Sequence, residues 1–406
     1  MLSVNDALEL ILSSVHTRDQ SEKTDIFNCP GRILFHDIIS EFNIPPKNNS
    51  AMDGYAVKTE DITSASINNP VSLNIIDEVQ AGNEFTGEQL QRGHAIRIMT
   101  GAPIPEGADT VVPFEETEES GNIVKIFKNT IKHENIRFAG EDIKTGNIVL
   151  RKGTRIDSAE SGLLASMNLR DIEVYKKPDV AIISTGNELA EPGETYTGKI
   201  INSNAYALYS EVKKYGGNPF YAGLVKDEYE DVKARFLQLA DKDIIISSGG
   251  VSMGRYDFIP DVLKEIGIHI KVRTIAMKPG KPVVFGTLGN SLFFGLPGNP
   301  VSIMVAFMEF VRPALLKMAG SNRISKPVLK AQLTESLSKK KGRRHFVRGI
   351  FTIKNGQFFV STTGPQGSGI LTSMSDSNCL IILPETIEFI KCGEYVDIQL
   401  TGHNEI

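Results

Sequence analysis

The sequence has few of the residues from which stapled or metal-centred folds are built. Its three cysteines, Cys29, Cys379 and Cys392, are widely spaced and form no C-x-x-C pair. This spacing argues against a disulfide framework and a thiolate zinc site, and it fits a reducing compartment. The seven histidines show no H-E-x-x-H or other metal spacing, which argues against a histidine-built catalytic zinc site.

Long apolar runs and an excess of positive charge are lacking as well. No stretch approaches the roughly 20 apolar residues of a membrane span, and the first residues lack the basic and apolar regions of a signal peptide. A net charge of −5 argues against nucleic acid as the main partner. We therefore expect a cytoplasmic protein that binds neither membrane nor nucleic acid. A local basic pocket for a small anion is still compatible with this charge.

The pattern of the sequence changes along its 406 residues, which are too many for one ordinary core. A helix capped by Ser3 is predicted because apolar residues recur at helical spacing from Val4 to Val15. Short β runs follow from about residue 60 to 140, strands alternate with helices from 178 to about 320, and five strands follow Pro327. These patterns predict a small β-domain, a parallel sheet covered by helices on both faces, and a C-terminal β-barrel or sandwich.

Two loops of the alternating region follow buried strands and carry glycines or helix-start residues. The residues of interest are Ser248, Gly249, Gly250 and Ser252 in the first loop and Pro297, Gly298, Asn299 and Pro300 in the second. Glycine lets backbone amides approach a phosphate, and a helix start favours an anion. A tight turn explains the first loop equally well, and a structural cap explains the second. In a parallel sheet both loops would lie at carboxyl ends of strands, where ligands bind.

Several cations and one hydroxyl are candidates for binding an oxyanion. Lys278 and Lys281 flank a proline-constrained turn, and two cations fixed near anion-binding loops favour phosphate or oxyanion binding over a solvated surface. Arg343 and Arg348 flank a C-terminal strand, and Ser368 follows in a glycine-rich loop. Strand-edge arginines often only deter edge pairing, whereas an arginine fork with a hydroxyl also suits a tetrahedral dianion.

Carboxylates recur in predicted turns rather than on helix faces. They are Asp53, Asp142, Glu188, Asp227 and Asp257. Most aspartates in turns only cap or bend the chain, but Mg²⁺ prefers a few carboxylates together with substrate phosphates. The residues alone thus indicate a multidomain α/β enzyme with an anion-binding cleft that acts on a phosphorylated ligand.

Seven segments, in order along the chain, resemble the MoeA family of molybdopterin molybdenumtransferases, which is related to a domain of gephyrin. They are residues 50–56, 97–103 with 107–112, 140–142, 184–189, 247–254, 278–281 and 296–302. The resemblance implies four domains. These are a helical N-terminal domain (1–45 and 140–177), an inserted β-domain (46–139), a MogA-like α/β domain (178–324) and a C-terminal β-barrel (325–406).

The resemblance also implies an enzyme that inserts molybdate into adenylylated molybdopterin, releases AMP and forms the molybdenum cofactor. Glu188, Asp227 and Asp257 are the candidate ligands of Mg²⁺. The Gly249–Gly250 loop and the Pro297–Pro300 turn would cradle pterin and phosphate.

The candidates for holding molybdate are Lys278, Lys281, Arg348 and Ser368. The remaining catalytic candidates from the resemblance are Asp53, Thr100 and Asp142. A homodimer is implied, in which Asp53 and Thr100 serve the cleft of the partner subunit. The family's pathway implies substrate handover from the adenylyltransferase and delivery to molybdoenzyme maturation factors.

Two other functions are compatible with parts of the sequence. A molybdopterin adenylyltransferase, which acts in the preceding step, resembles only residues 178–320, so the domains around that region argue against it. A binding scaffold like gephyrin is the second alternative. The absence of long linkers and fused partner domains argues against a scaffold.

Overall fold

The chain divides into two units, which we call the inserted unit and the main unit. The computed structural model describes residues 1–83, 85–195, 197–250 and 259–402. The inserted unit is Asp37–Arg151, and the main unit is Met1–His36 with Lys152–Ile406. None of the described helices is long and apolar enough to cross a membrane.

The first helix begins where the sequence predicts it. Helix α1 spans Val4–Ser13, and the Ser3 hydroxyl accepts a hydrogen bond of 3.1 Å from the Asp6 N–H. This bond satisfies one of the free donors of the first turn and so fixes where the helix starts. The apolar face of α1 buries Ala7 and Ile11 in the hydrophobic cluster that also contains the central strands of the main unit.

The inserted unit is built from β-strands, and the β runs predicted for it are confirmed. Its main sheet contains β1 (Gly54–Val57), β2 (Val71–Val79), β3 (His94–Ile98), β4 (Thr110–Pro113), β5 (Thr117–Ser120) and β6 (Ile123–Ile126). The order is β4-β1-β3-β2-β6-β5, and only β2 and β3 pair in parallel. Two short ladders join distant parts of the unit, Ile38–Ile39 with Ile148–Leu150 and Asn49–Ser50 with Ile136–Arg137.

The main unit contains an α/β sheet with helices between its strands. Helix α2 (Ser158–Ser166) precedes the sheet, and α3 (Asn204–Lys214), α4 (Tyr229–Gln238) and α5 (Ile259–Glu265) lie between its strands. The strands are β7 (Asp179–Thr185), β8 (Asn218–Val225), β9 (Ile244–Ser248), β10 (His269–Thr274), β11 (Met277–Lys278), β12 (Pro282–Leu288) and β13 (Ser291–Leu296). All of these except β11 form one sheet in the order β8-β7-β9-β13-β12-β10.

The prediction of a purely parallel sheet is wrong at one side. Strands β8, β7, β9 and β13 are parallel neighbours, whereas β12 is antiparallel to β13 and β10 is antiparallel to β12. Only two residues separate β12 from β13, with Leu288 paired to Ser291. A connection that short can join only antiparallel strands, because a parallel pair needs a long crossover. The ligand-bearing strand ends of the parallel part are unaffected.

The helix predicted after Leu296 is confirmed, with a local change of winding. It comprises α6 (Pro300–Ala306), a π-helical turn at Phe307–Val311 and α7 (Arg312–Met318). Pro300 occupies the first turn, as its fixed φ allows. Asn299 occupies the cap position, but its side chain makes no capping hydrogen bond. That side chain is therefore not used by the start of the helix.

The C-terminal strands close into a barrel rather than a sandwich. All five predicted strands are present, as β14 (Val328–Leu333), β15 (Arg344–Lys354), β16 (Gln357–Thr362), β17 (Cys379–Leu383) and β18 (Tyr395–Leu400). Their order is β15-β16-β14-β18-β17, and β17 pairs back to β15. Strand β11 extends this sheet by pairing in parallel with β15, so that Lys278 is the register partner of His345. The barrel is thereby joined to the chain segment between β10 and β12.

A substitution at Gly54 of β1 tests how tightly the inserted unit is packed beside Asp53. A Cβ at this position would lie 2.0 Å from the carbonyl oxygen of Val112 on β4. We expect Gly54→Ala to lower the free energy of unfolding by about 1–3 kcal/mol, because β1 and β4 would have to separate. Denaturant unfolding followed by circular dichroism measures this.

Gly162 of α2 is the matched control, because a Cβ there meets no atom within 4 Å. Gly162→Ala should be neutral or stabilising by up to about 1 kcal/mol, since alanine favours a helix. Equal stability of the two variants would show that β1 and β4 can adjust to a side chain at residue 54.

Candidate functional site

The glycine loops predicted to bind an anion lie together at one edge of the α/β sheet. They follow β9 and β13, which are adjacent parallel strands. The Gly249 N–H donates to the Leu296 carbonyl at 3.1 Å. The Asn204 side-chain amide donates to the Ser248 hydroxyl at 3.1 Å and to the Gly298 carbonyl at 2.7 Å. The first residue of α3 therefore holds the two predicted loops side by side.

Glycine is required in the first loop because the neighbouring backbone is close. Gly249 and Gly250 have φ values of +90° and +65°, which disfavour a side chain. A Cβ on Gly249 would lie 2.9 Å from the Thr185 carbonyl oxygen, and one on Gly250 would lie 2.8 Å from Thr185 Oγ1. This close approach places the first loop directly against the end of β7. Backbone amides of a glycine-containing loop suit a phosphate.

Two buried oxygens beside the loop after β9 lack a hydrogen-bond partner among the described residues. They are Thr185 Oγ1 and Asn204 Oδ1. Buried polar atoms are almost always hydrogen-bonded to protein, water or ligand. Both residues were missed in the sequence analysis. Thr185 precedes the Gly186 turn and Asn204 begins α3, but neither position is distinguished from an ordinary turn or cap by sequence alone.

Glu188 and Asp227, two of the three candidate Mg²⁺ ligands, are neighbours. The Asp227 N–H donates to Asn187 Oδ1 at 3.3 Å, which links the two loops that carry the carboxylates. Burial raises the pKa of Asp227, and the charge of Glu188 raises it further, against a hydrogen bond from Asn187 that lowers it. Two such carboxylates fit a divalent cation, which would relieve their repulsion.

The third candidate ligand, Asp257, and the candidate Ser252 lie outside the described residues. Within the described part of the chain, no group of three or more acidic, histidine or cysteine side chains could hold a metal ion. The described geometry thus supplies a pair of carboxylates rather than a complete metal site.

A cavity of about 990 Å³ lies where the Lys278–Lys281 turn and the helix-start loop face the barrel. All four residues predicted to hold molybdate line it, and so do two residues of the second loop, namely Lys278, Lys281, Arg348 and Ser368 with Pro297 and Asn299. Its lining also contains Lys339, Lys340 and Arg343, and the described residues that line it include no carboxylate. The barrel loop is attached to the helix start by the Val301 N–H, which donates to the Ser368 carbonyl at 3.1 Å. This cavity is strongly cationic.

His345 reports the electrostatics of the cavity that it lines. Burial first of all, and then the charges of Lys339, Lys278 and Arg343, together lower the pKa of His345 to about 4. The imidazole is therefore neutral near pH 7. Lys339, Lys278 and Arg343 are thus all close enough to act on the same side chain.

Arg348 lines the cavity, but much of its guanidinium is engaged by the protein. Its Nε donates to the Ser373 hydroxyl and its Nη2 to the Gly367 carbonyl, both at 3.1 Å. Its side chain is almost fully buried. This geometry supports a role for Arg348 in holding the loop that carries Ser368. Arg343, by contrast, has no ion-pair partner within 4 Å in the described part of the chain.

The inserted unit brings Asp53 and Thr100 together. Asp53 Oδ1 accepts hydrogen bonds from the Thr100 N–H at 2.6 Å and from the Thr100 hydroxyl at 2.7 Å. These bonds, the first above all, lower the pKa of Asp53. Asp142 lies exposed in another turn of the same unit, where its N–H donates to the Ile44 carbonyl at 3.1 Å.

Three known families match successive parts of the chain. Residues 2–168 match the family described as "MoeA N-terminal region (domain I and II)". Residues 181–317 match "Probable molybdopterin binding domain", and residues 330–401 match "MoeA C-terminal region (domain IV)". These matches follow one another without overlap and cover most of the sequence.

Curated relatives match over almost the whole chain. The molybdopterin molybdenumtransferase of Haemophilus influenzae is 37% identical, with 99% of each chain covered. That of a Nostoc species is 36% identical over 98% of this chain and 93% of its own. Among solved structures, the molybdopterin biosynthesis moeA protein of Pyrococcus horikoshii has a TM-score of 0.86 at 33% identity, covering 98% of this chain and 100% of that chain.

The hydrogen bonds between Asp53 and Thr100 can be tested without any substrate. Folding lowers the pKa of Asp53, so its contribution to stability is present above about pH 4 and is lost as the pH falls through the lowered value. Thr100→Val removes the hydroxyl donor and keeps the N–H. We therefore expect the Asp53 pKa to rise only part of the way towards 3.8. Carboxyl ¹³C NMR titration measures it.

Thr100→Ser is the matched control, because serine keeps both donors. Its Asp53 pKa should stay close to that of the wild-type protein. A Thr100→Val variant with an unchanged Asp53 titration would show that the hydroxyl does not donate to this carboxylate in solution.

Proposed function

The chain belongs to the MoeA family of molybdopterin molybdenumtransferases, and from this membership we propose that it inserts molybdate into adenylylated molybdopterin with release of AMP. It is accordingly a transferase of molybdenum-cofactor biosynthesis. The observation that carries the finer proposal is the cationic cavity next to the glycine loops. A reaction that joins an oxyanion to a phosphorylated pterin needs both features within reach of each other.

The molybdate proposal rests on the turn between β11 and β12. Lys278 and Lys281 are exposed to the cavity and have no carboxylate partner in the described part of the chain. Asn299 offers an amide that the helix start does not use. Charged donors on a stiff turn bind a tetrahedral dianion strongly, because little motion is lost on binding. Ser368 adds a hydroxyl from the barrel loop that Arg348 holds.

The pterin and its phosphates are proposed to bind over the loops after β7, β9 and β13. Thr185 Oγ1 and Asn204 Oδ1 are buried polar atoms available to a ligand there. At the start of α6, Pro300 has no N–H and the Val301 N–H donates to the Ser368 carbonyl, so the phosphates are proposed to use the glycine loop after β9. Gly249 and Gly250 keep side chains out of the loop after β9.

Mg²⁺ is proposed to bind at Glu188 and Asp227, with Asp257 as a further ligand predicted from the sequence. The two carboxylates lie on loops joined by the hydrogen bond from the Asp227 N–H to Asn187 Oδ1, and a pair of neighbouring carboxylates favours a cation. When bound, Mg²⁺ would neutralise charge on the pyrophosphate linkage. The protein's own part is to hold the substrate phosphates beside these carboxylates.

We also propose a cytoplasmic homodimer in which Asp53 and Thr100 serve the cleft of the partner subunit. The substrate would then be received from an adenylyltransferase, and the product passed to molybdoenzyme maturation factors. The full-length match to transferases supports this reading over a lone adenylyltransferase, because the relatives share the inserted unit and the barrel as well.

The direct test is to measure AMP release from adenylylated molybdopterin by the purified chain. AMP should appear together with a molybdenum-containing pterin only when molybdate and Mg²⁺ are both present, and chelation of Mg²⁺ should stop it. Formation of adenylylated molybdopterin from ATP would instead identify an adenylyltransferase. Binding of the pterin without turnover would support a scaffold.

A shared cleft can be tested by mixing two inactive variants, Asp53→Ala and Glu188→Ala. A heterodimer would contain one cleft built from two undamaged halves and one cleft with both defects. We expect recovery of about a quarter of wild-type activity, since half of the dimers in a random mixture are heterodimers with one intact cleft.

Subunit exchange is verified independently by mass spectrometry of differently labelled chains. A Glu188→Ala and Asp53→Ala double variant mixed with inactive Asp53→Ala chains is the control, and it should recover nothing. If exchange occurs and the first mixture also stays inactive, Asp53 acts within its own chain.

A further inference from the structure

The cavity carries more positive charge than one oxyanion would use. Six cationic side chains line it, and its described lining contains no carboxylate. They are Lys278, Lys281, Lys339, Lys340, Arg343 and Arg348. At about 990 Å³, the cavity is also near the upper end of the range for sites that hold a whole small-molecule ligand. A single tetrahedral dianion would fill little of it and would balance only part of its charge.

The additional charge comes from one short turn of the barrel, residues 338–343, which we call the barrel turn. The basic run in and after this turn is divided between two environments. Lys341 pairs with Glu388 at 3.4 Å and Arg344 with Glu385 at 3.3 Å. Lys340 and Arg343 line the cavity instead, with no ion-pair partner within 4 Å in the described part of the chain. The fold thus pairs Lys341 and Arg344 with glutamates and leaves Lys340 and Arg343 facing the cavity.

The barrel turn is fixed in place rather than loosely attached. The Lys339 N–H donates to the Glu388 carbonyl at 2.8 Å, and the Gly342 N–H donates to the Glu385 carbonyl at 2.9 Å. The Lys339 ammonium donates to the Arg343 carbonyl at 2.9 Å, which closes the turn from inside. A cation pair on such a turn is held together before any ligand arrives, so less entropy is lost on binding.

Both the barrel turn and the Lys278–Lys281 turn lie next to His345. Lys278 is the register partner of His345 across β11 and β15. Arg343 and Lys339 act on the same imidazole through their charge, as Lys278 does. The two pairs of cations are therefore neighbours in one cavity but belong to different elements, so that each can hold its own anion.

We propose that the barrel turn is a second anion subsite, at which Lys340 and Arg343 bind a phosphate group of the pterin substrate while molybdate occupies the side of Lys278 and Lys281. This inference rests on the proposed function for the identity of the phosphorylated ligand. The subsite itself requires only that a phosphate and an oxyanion bind at the same time. Its consequence for the reaction is that the substrate's phosphate is fixed beside the incoming molybdate.

The test uses inorganic phosphate and molybdate as separate probes in titration calorimetry on the full chain. In the wild type, phosphate should still bind when molybdate is saturating. Lys340→Gln with Arg343→Gln keeps the side-chain stems and removes both charges. We expect phosphate to bind about ten- to a hundredfold more weakly, because charge-assisted contacts are lost. The affinity for molybdate should change less than about threefold. Lys278→Gln with Lys281→Gln should show the opposite pattern.

Lys341→Gln is the matched control for the general effect of charge. It removes the charge of Lys341, which is adjacent to Lys340 in sequence and whose ammonium pairs with Glu388. Its phosphate affinity should stay within about twofold of the wild type, because only a distant, screened charge is lost. Equal weakening by Lys340→Gln and Lys341→Gln would overturn the subsite, and so would complete displacement of phosphate by molybdate.

The same variants separate this inference from the proposed function. With adenylylated molybdopterin, Lys340→Gln with Arg343→Gln should raise KM and leave kcat within about twofold, since the lost contact is made equally in ground and transition states. If the wild type releases no AMP but the two probes still bind together, the subsite stands and the proposed reaction fails. If AMP is released and the probes exclude each other, the reaction stands and the second subsite fails.

Discussion

A cluster of like charges around one cavity is the constraint on which the site depends. Lys278, Lys281, Lys340 and Arg343 line one cavity, and the described part of the chain supplies none of them with a carboxylate partner. Like charges gathered around one cavity favour an anion, whose opposite charge offsets their repulsion. Burial above all, and then the charges of Lys339, Lys278 and Arg343, lower the pKa of His345. The rest of the fold has to hold these cations in place until an anion replaces the missing charge.

Two features of the fold hold them. Strand β11 lies between two strands of the α/β sheet in sequence but pairs with β15 of the barrel. The Lys278–Lys281 turn is therefore anchored to both structures at once. On the other side, the backbone bonds of the barrel turn and the bond from Val301 to Ser368 fix the barrel loops against the helix start. Binding then meets a preformed set of donors, which limits the entropy lost.

The glycine loops and the carboxylates have a different physical basis from the cations. Gly249 and Gly250 are dictated by the closeness of Thr185, and Asn204 ties both loops to α3. Glu188 and Asp227 lie on loops joined by a hydrogen bond to Asn187, and neither carboxylate lines the cationic cavity. Their negative charges favour a cation, whereas the cavity favours anions.

Local patterns in the sequence determined much of this protein. The Ser3 cap, the helix after Leu296 and the five barrel strands depend on neighbours within a few residues, and each was predictable from spacing and composition. So were the two loops after β9 and β13, because glycine and proline mark turns wherever they occur. Seven motifs in family order identified the family, since an ordered set of short matches is far more specific than any one of them.

Only the tertiary structure decided which charges the site uses. Arg343 and Arg348 look alike in sequence, yet the hydrogen bonds of Arg348 to Ser373 and Gly367 engage its guanidinium, while Arg343 lines the cavity without a counter-charge. Lys340 and Lys341 are adjacent, yet Lys341 pairs with Glu388 while Lys340 lines the cavity. The antiparallel side of the sheet and the importance of Thr185 and Asn204 also depend on partners distant in the chain. A side chain's availability to a ligand is set by what else reaches it in three dimensions, and sequence spacing does not contain that information.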